Sequence, residues 1–397
     1  MAVVGPFPGI RYDAARVGSM AAVVAPPYDV ISPAEQAALY DRSPYNAVRL
    51  ILPRDTDRAG ASARALRAWL EAGVLTADAE PSLYVYSQRF SLGDGRSLIR
   101  DGVICRLRLE DFASGVVRPH ERTFPGPKAD RLALMRATGA YLSPIFGLCA
   151  RPNEPVRTLV GPLGTPLVDV LDAGGCGHTL WRVTDTAAVA RFREALAHET
   201  VYIADGHHRY ETGLAYRDEL GGAGASAWIM ACLVNMEEPG LVILPTHRLL
   251  RAPRRIEAAA LDGAFASEPL GGAPRPDGAI DLVLPDRRLR LRPTGVLARL
   301  GHLPAAIRSL DVAVLRDGLL APLGIRPDEL AFTHDDAEAQ VAVASGEATA
   351  AFLVTPPSMA TVRAVCHAGE VMPEKSTYFY PKLADGLVLD LVGPPWR

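Results

Sequence analysis

The 397-residue chain carries only five cysteines, Cys105, Cys149, Cys176, Cys232 and Cys366, and no two stand in C-x-x-C spacing. Scattered, odd-numbered thiols give no disulfide framework and argue against a structural zinc site. They fit a reduced, cytoplasmic compartment, each serving as a small buried side chain. No stretch approaches the ~18 uninterrupted apolar residues of a membrane helix, and no basic segment followed by an apolar run opens the chain. Neither a membrane partner nor a signal peptide is expected. An excess of one charge is missing as well: the formal net charge is −3, which argues against nucleic acid as a partner. Internal repeats and long low-complexity linkers are lacking, and the glycines and prolines punctuate frequent turns.

Apolar residues make up 49% of the chain, so a sizeable core is affordable, and the length suits two or three domains. Ser32-Pro33-Ala34-Glu35 reads as a capped helix start. The spacing predicts strands over 21–25 and 46–53, an amphipathic helix over 61–72, and a hairpin of strands 83–90 and 98–109 turning at Gly93-Asp94-Gly95. Strands and helices interleave to the end, so the fold class is α/β in the broad sense, mixed α+β.

Residues 201–212 read Val-Tyr-Ile-Ala-Asp-Gly-His-His-Arg-Tyr-Glu-Thr. An apolar strand hands over to a helix through Asp205, Gly206, His207, His208 and Arg209. The free N–H groups of a helix start attract anions, and Arg209 adds a planar fork of donors that suits phosphate. His207 and His208 exchange protons near neutral pH, and as neighbours they point ~100° apart on a helix, which disfavours joint ligation of one metal. Asp205 reads equally as a magnesium or hydroxyl ligand and as a helix cap.

Other polar clusters accompany this turn. Glu121 follows His120 in a proline-bounded loop and is a candidate general base toward a substrate hydroxyl, against the plainer reading of a solvated loop glutamate. Thr123, Lys128, Asp130 and Arg131 follow; Lys128 and Arg131 offer positive charge, and Asp130 suits a helix cap. Thr246-His247-Arg248 is either a second polar rim or an ordinary strand exit. Lys375-Ser376-Thr377 with Lys382 resembles the tail of a phosphate-binding loop without the glycines of a Walker A motif. Tyr378-Phe379-Tyr380 either stacks on a base or packs in the core.

His120-Glu121 followed by Asp205-Gly206-His207-His208-Arg209 resembles the free-serine kinases of the ParB/sulfiredoxin superfamily. That resemblance implies a ParB/sulfiredoxin-like core over 111–250, between an N-terminal α/β segment (1–110) and a C-terminal α/β segment (251–397) that contributes the 375–377 loop. It implies Glu121 as base, with Asp205, His207, His208 and Arg209 holding nucleotide phosphates, Mg²⁺ and the transferring group. The whole chain is also similar to a widespread uncharacterised bacterial family, through Pro26-Pro27-Tyr28-Asp29-Val30, His120-Glu121-x-Thr123, the 204–212 motif, Pro245-Thr246-His247-Arg248 and Met372-Pro373-x-Lys375-Ser376-Thr377.

The expected activity is phosphoryl transfer from ATP or ADP, with Mg²⁺, to a small hydroxyl metabolite such as free serine. Glu121, Asp205, His207 and His208 form the expected catalytic set, with Asp205 as the metal ligand. Gly206, Arg209, His120, Thr123, Lys128, His247, Arg248, Lys375, Ser376 and Thr377 are the expected nucleotide contacts. The alternatives are a phosphatase acting on a small phosphorylated metabolite and a nucleotide-binding regulatory module. A small-molecule substrate and a nucleotide are the expected partners, and a homodimer stays open.

Overall fold

The structure is a computed structural model that describes residues 1–393 except 122, 124, 152, 153, 255, 257–260, 262, 272, 273 and 277. It is 33% helical and 28% strand, so the mixed α/β class holds. The chain divides into two compact units. The first comprises residues 1–119, 123–242 and 381–397; the second comprises 120–122 and 243–380. The segments expected over 1–110 and 111–250 share one unit, because Ser97–Arg108 pairs with Trp228–Asn235 across that boundary, and residues 381–393 return to the same unit.

Among the described residues, the first unit is built on a nine-stranded mixed sheet. Its long central hairpin, Leu83–Ser91 with Ser97–Arg108, is the one expected from the Gly93-Asp94-Gly95 turn. Beyond it, Trp228–Asn235 pairs antiparallel with Ser97–Arg108 and parallel with Ile145–Cys149, and Val201–Asp205 runs antiparallel to Ile145–Cys149. Val201 to Ala204 are all buried, as a strand inside a sheet requires. The helix Pro125–Thr138 packs on the helix His207–Glu219.

Two strand expectations fail. Residues 20–23 form a short helix, and only Ala25 makes a bridge, to Asp385. Residues 48–51 are also helical. Asn46 decides the second case. Its Oδ1 accepts from the Val48 N–H at 3.0 Å, while its Nδ2 donates to the carbonyls of Ala22 at 2.8 Å and Val24 at 3.1 Å. A buried asparagine thus caps one helix and satisfies the end of the other, which overrides the strand preference of the apolar run.

The second unit is built on an antiparallel sheet in the order Phe265–Pro269, Arg288–Pro293, Ile280–Val283, Ala350–Leu353, His247–Leu250, Leu330–Thr333. The helix Asp336–Ala344 covers it with Ala339, Ala342 and Val343 against Leu249, Val283 and Leu353. Among the described residues, no helix is long and apolar enough to cross a membrane.

Candidate functional site

In the first unit the strand Val201–Asp205 ends in a register irregularity between Ile203 and Asp205. Gly206 follows at φ 90° and caps the helix that starts at His207. This position needs glycine twice. Its backbone is left-handed, and a Cβ would stand 3.0 Å from the Arg209 Nε. The helix starts earlier than its apolar pattern indicates, so His207, His208 and Arg209 form its first turn. His207 is buried and His208 half-buried.

Asp205 is the hub. Its Oδ2 accepts from the Arg209 Nη2 at 2.6 Å, and its Oδ1 accepts from the Lys382 Nζ. Burial works against the Asp205 charge, but Lys382 and Arg209 outweigh it and hold the carboxyl well below the ordinary range. Arg209 also donates to the Pro144 carbonyl, which fixes its plane. With both oxygens engaged by cations, Asp205 does not fit a magnesium ligand: a dication would have to displace or sit beside two positive groups. Its observed role is to pin Arg209 and Lys382.

Lys382 reaches Asp205 because the segment 382–390 is held in the first unit. The Arg106 Nε and Nη2 donate to the Asp390 carboxylate at 2.8 and 2.7 Å. The Asp385 and Leu389 N–H groups donate to the Ala25 and Ile10 carbonyls at 2.8 and 2.9 Å. The Gln88 Nε2 donates to the Lys382 carbonyl at 2.9 Å. The same segment brings Asp385, which is 1% exposed and accepts from the Ser143 hydroxyl at 2.7 Å. Burial pushes the Asp385 carboxyl up to about 7, with Arg209 and Ser143 pulling it back. Sequence reading missed Asp385, because an isolated aspartate in a hydrophobic tail carries no spacing signal.

Beside Arg209 lies a cavity of about 50 Å³, lined by Tyr28, Arg131, Leu134, Ser143 and Thr212 among others. The Arg131 guanidinium stacks over Tyr28 at 4.0 Å and donates to the Ile51 carbonyl at 2.8 Å. Thr123 and Lys128 converge on Glu211, another residue the sequence left unassigned. The Thr123 hydroxyl donates to its Oε1 at 2.7 Å and the Lys128 ammonium to its Oε2 at 2.6 Å. Lys128 therefore sits in an ion pair.

The second unit holds the remaining candidates. His120 is fully buried, with its Nε2 2.8 Å from the Thr377 hydroxyl and its ring edge-on to Phe379. Phe379 is therefore core, as its type suggests. The Glu121 Oε1 accepts from the Lys375 N–H at 3.2 Å. Lys375 is the one non-glycine with positive φ among the described residues, at 56°. Ser376 is buried and donates to the Pro373 carbonyl at 2.5 Å. Arg248 donates to the Lys375 carbonyl at 3.0 Å and the Glu374 carbonyl at 3.3 Å, so its guanidinium braces the 372–377 loop. Burial pushes Arg248 down to about 10, against the charge of Glu121. The His247 Nδ1 accepts from the Val354 N–H at 3.2 Å and its Nε2 lies 2.6 Å from Asp336. That arrangement ties strand to helix and accounts for His247 structurally.

The structure thus groups Asp205, Gly206, His207, His208, Arg209, Thr123 and Lys128 in the first unit. It groups His120, Glu121, His247, Arg248, Lys375, Ser376 and Thr377 in the second. Lys382, read from sequence beside Lys375, belongs instead with Asp205.

A family model described as a protein of unknown function (DUF1015) matches residues 4–313. Similar solved structures include a conserved hypothetical protein from Pyrococcus furiosus, with 14% identity, TM-score 0.38, and coverage of 71% of this chain and 93% of that one. A free serine kinase in complex with AMP gives 16% identity and TM-score 0.38, covering 66% of this chain and 83% of that one. A C-terminally truncated SbnI from Staphylococcus aureus gives 13% identity and TM-score 0.39, covering 71% and 85%. No curated protein matches the chain.

Proposed function

The chain belongs to the DUF1015 family, and we propose that it is a cytoplasmic phosphotransferase. It moves a phosphoryl group from a nucleotide, ATP or ADP, to a small hydroxyl-bearing metabolite, with a free amino acid such as serine as the first acceptor to test. One observation carries the reading: two cations, Arg209 and Lys382, are pinned by one carboxylate at a strand–glycine–helix turn. Phosphoryl transfer asks little covalent chemistry of a protein and much positioning and charge neutralisation. Cations already fixed in place reorganise little when negative charge develops. The N–H groups of the first helical turn at 207–209 add to the same field.

Two carboxylates are candidates to take the hydroxyl proton. Glu121 has that role by resemblance. Asp385, buried and poised near neutral pH, is the candidate added by the fold. The test combines binding and turnover. Nucleotides, with and without Mg²⁺, are screened by thermal shift against a panel of amino acids and their phosphates. Phosphorus NMR then follows the transferred group. Phosphate appearing on the acceptor supports a kinase, and free phosphate without acceptor phosphorylation supports the hydrolase reading instead. A screen in which no nucleotide raises the melting temperature removes the proposal.

A further inference from the structure

The hairpin at the sheet edge, Val168–Leu171 with Gly177–Val183, holds a cluster that the proposed reaction does not use. Leu171 pairs with Gly177 and Val170 with His178. The next rung is Asp172 against Cys176, whose carbonyl accepts from the Asp172 N–H at 2.9 Å. Cys176, the residue before the strand, and His178 within it are two positions apart and share a face, and Asp172 opposes Cys176 on that face. Their ligand atoms all lie within 4.8 Å of one another.

Each donor is oriented. The Asp172 Oδ1 accepts from the N–H groups of Gly174 at 2.8 Å and Cys176 at 2.9 Å, while its Oδ2 stands 3.0 Å from the His178 Nε2. The other ring nitrogen, Nδ1, is 2.7 Å from the Tyr86 hydroxyl, and the two rings stack. His178 is 2% exposed and Cys176 7%. An imidazole whose far nitrogen is fixed by a hydrogen bond is the usual arrangement of a metal-binding histidine.

We infer that Asp172, Cys176 and His178 bind a divalent cation of the zinc type. One sulfur, one nitrogen and one oxygen make a borderline-soft donor set, and three protein ligands with a water in the fourth position is a known zinc pattern. Such a site needs no cysteine pair, which is why the lack of C-x-x-C spacing hides it. On binding, the Cys176 thiol gives its proton to solvent, a sulfur–metal bond forms, and thiolate and carboxylate together balance the two positive charges. The residues behind the cluster lead to the Lys382 segment. The Tyr86 hydroxyl accepts from the Ala384 N–H at 3.3 Å, and Gln88, which lies 4.0 Å from the Cys176 Sγ, donates to the Lys382 carbonyl. Metal loading therefore steadies the stretch that delivers Lys382 and Asp385.

The test uses the full chain, stripped with chelator and titrated with Co²⁺ and Zn²⁺ in the absence of nucleotide. One equivalent of metal is expected, with a near-ultraviolet thiolate-to-cobalt band. Cys176→Ser, which exchanges a single atom, removes that band and weakens zinc binding by about 100-fold or more, while its melting curve reports the intact fold. Tyr86→Phe keeps all three ligands and weakens binding about 10-fold. Substoichiometric binding by the wild type, or a cobalt band that survives Cys176→Ser, overturns the site. Because no nucleotide is present, neither outcome depends on the phosphoryl-transfer proposal.

Discussion

Asp205 in the first unit ends a buried strand and Glu121 in the second stands half-buried in a loop, and the groups bonded directly to them differ in kind. Side-chain cations hold Asp205. Glu121 accepts from a backbone amide of a loop braced by Arg248. An ion pair in a mostly buried setting is a mutual commitment, because removal of one partner strands the charge of the other. A backbone amide carries no net charge, so a glutamine can accept from it almost as well as a glutamate. The same residue class therefore serves as a directly ion-paired hub in one place and, in the other, as an acceptor for a backbone amide, with its charge also acting on Arg248 through space.

The contrast is sharpest in Asp205→Ala. Arg209 and Lys382 lose their shared counter-charge, and a loss of about 3–5 kcal/mol in unfolding free energy is expected by denaturant titration. A loss below about 1 kcal/mol breaks the comparison, because Asp205 is then not the hub. Glu121→Gln should do the reverse. Its melting curve shifts far less than that of Asp205→Ala, by about 1 kcal/mol or less for the counter-charge that Arg248 loses, nucleotide still binds, and turnover falls by about 100-fold or more if Glu121 is the base. Wild-type turnover would remove Glu121 from the mechanism and leave Asp385 as the candidate.

Asp385 supplies a pH signature opposite in sign to that of Asp205. Its folded carboxyl is raised to about 7 from an ordinary value near ~4, so the folded state binds more protons between those values. The stability it contributes is complete at the acid end and is lost as pH rises through about 7. Asp205, held low, contributes stability that is present above the ordinary carboxylate pKa and lost as acid protonates it. Asp385→Asn should therefore flatten the fall in stability toward alkaline pH and leave the acid limb in place. An unchanged profile shows that Asp385 titrates as an ordinary carboxylate. The smallest expected effect is at Lys375. Its left-handed backbone costs about 1–2 kcal/mol, and Lys375→Gly should recover part of it, roughly 0.5 kcal/mol after the entropy of glycine. If nucleotide binding is also unchanged, Lys375 acts through its backbone and not its ammonium group.

Much of the architecture was legible because it is local. The Ser32 cap is present, with its hydroxyl accepting from the Glu35 N–H at 3.2 Å. The 83–108 hairpin and the Val201–Asp205 strand follow from alternation, apolar runs and turn glycines. Residues 46–53 misled because a buried asparagine outweighed β propensity. The site was legible in part. The 205–209 turn announces itself by packing polar residues after an apolar strand. Glu211 as the partner of Lys128 and Asp385 as a buried acid did not, since each depends on residues tens to hundreds of positions away.

The sequence alone determined the mixed class, the 83–108 hairpin and the Val201–Asp205 strand, and that the 201–212 turn concentrates charge, because periodicity and turn chemistry act over a few residues. Tertiary structure decided which charges meet. Lys382 was spelled out beside Lys375, yet it pairs with Asp205, 177 positions earlier, because Asp390, Leu389 and Asp385 pin their segment to the first unit. The hydrogen bonds that fix such a return join groups remote in sequence, and short-range patterns carry no record of them.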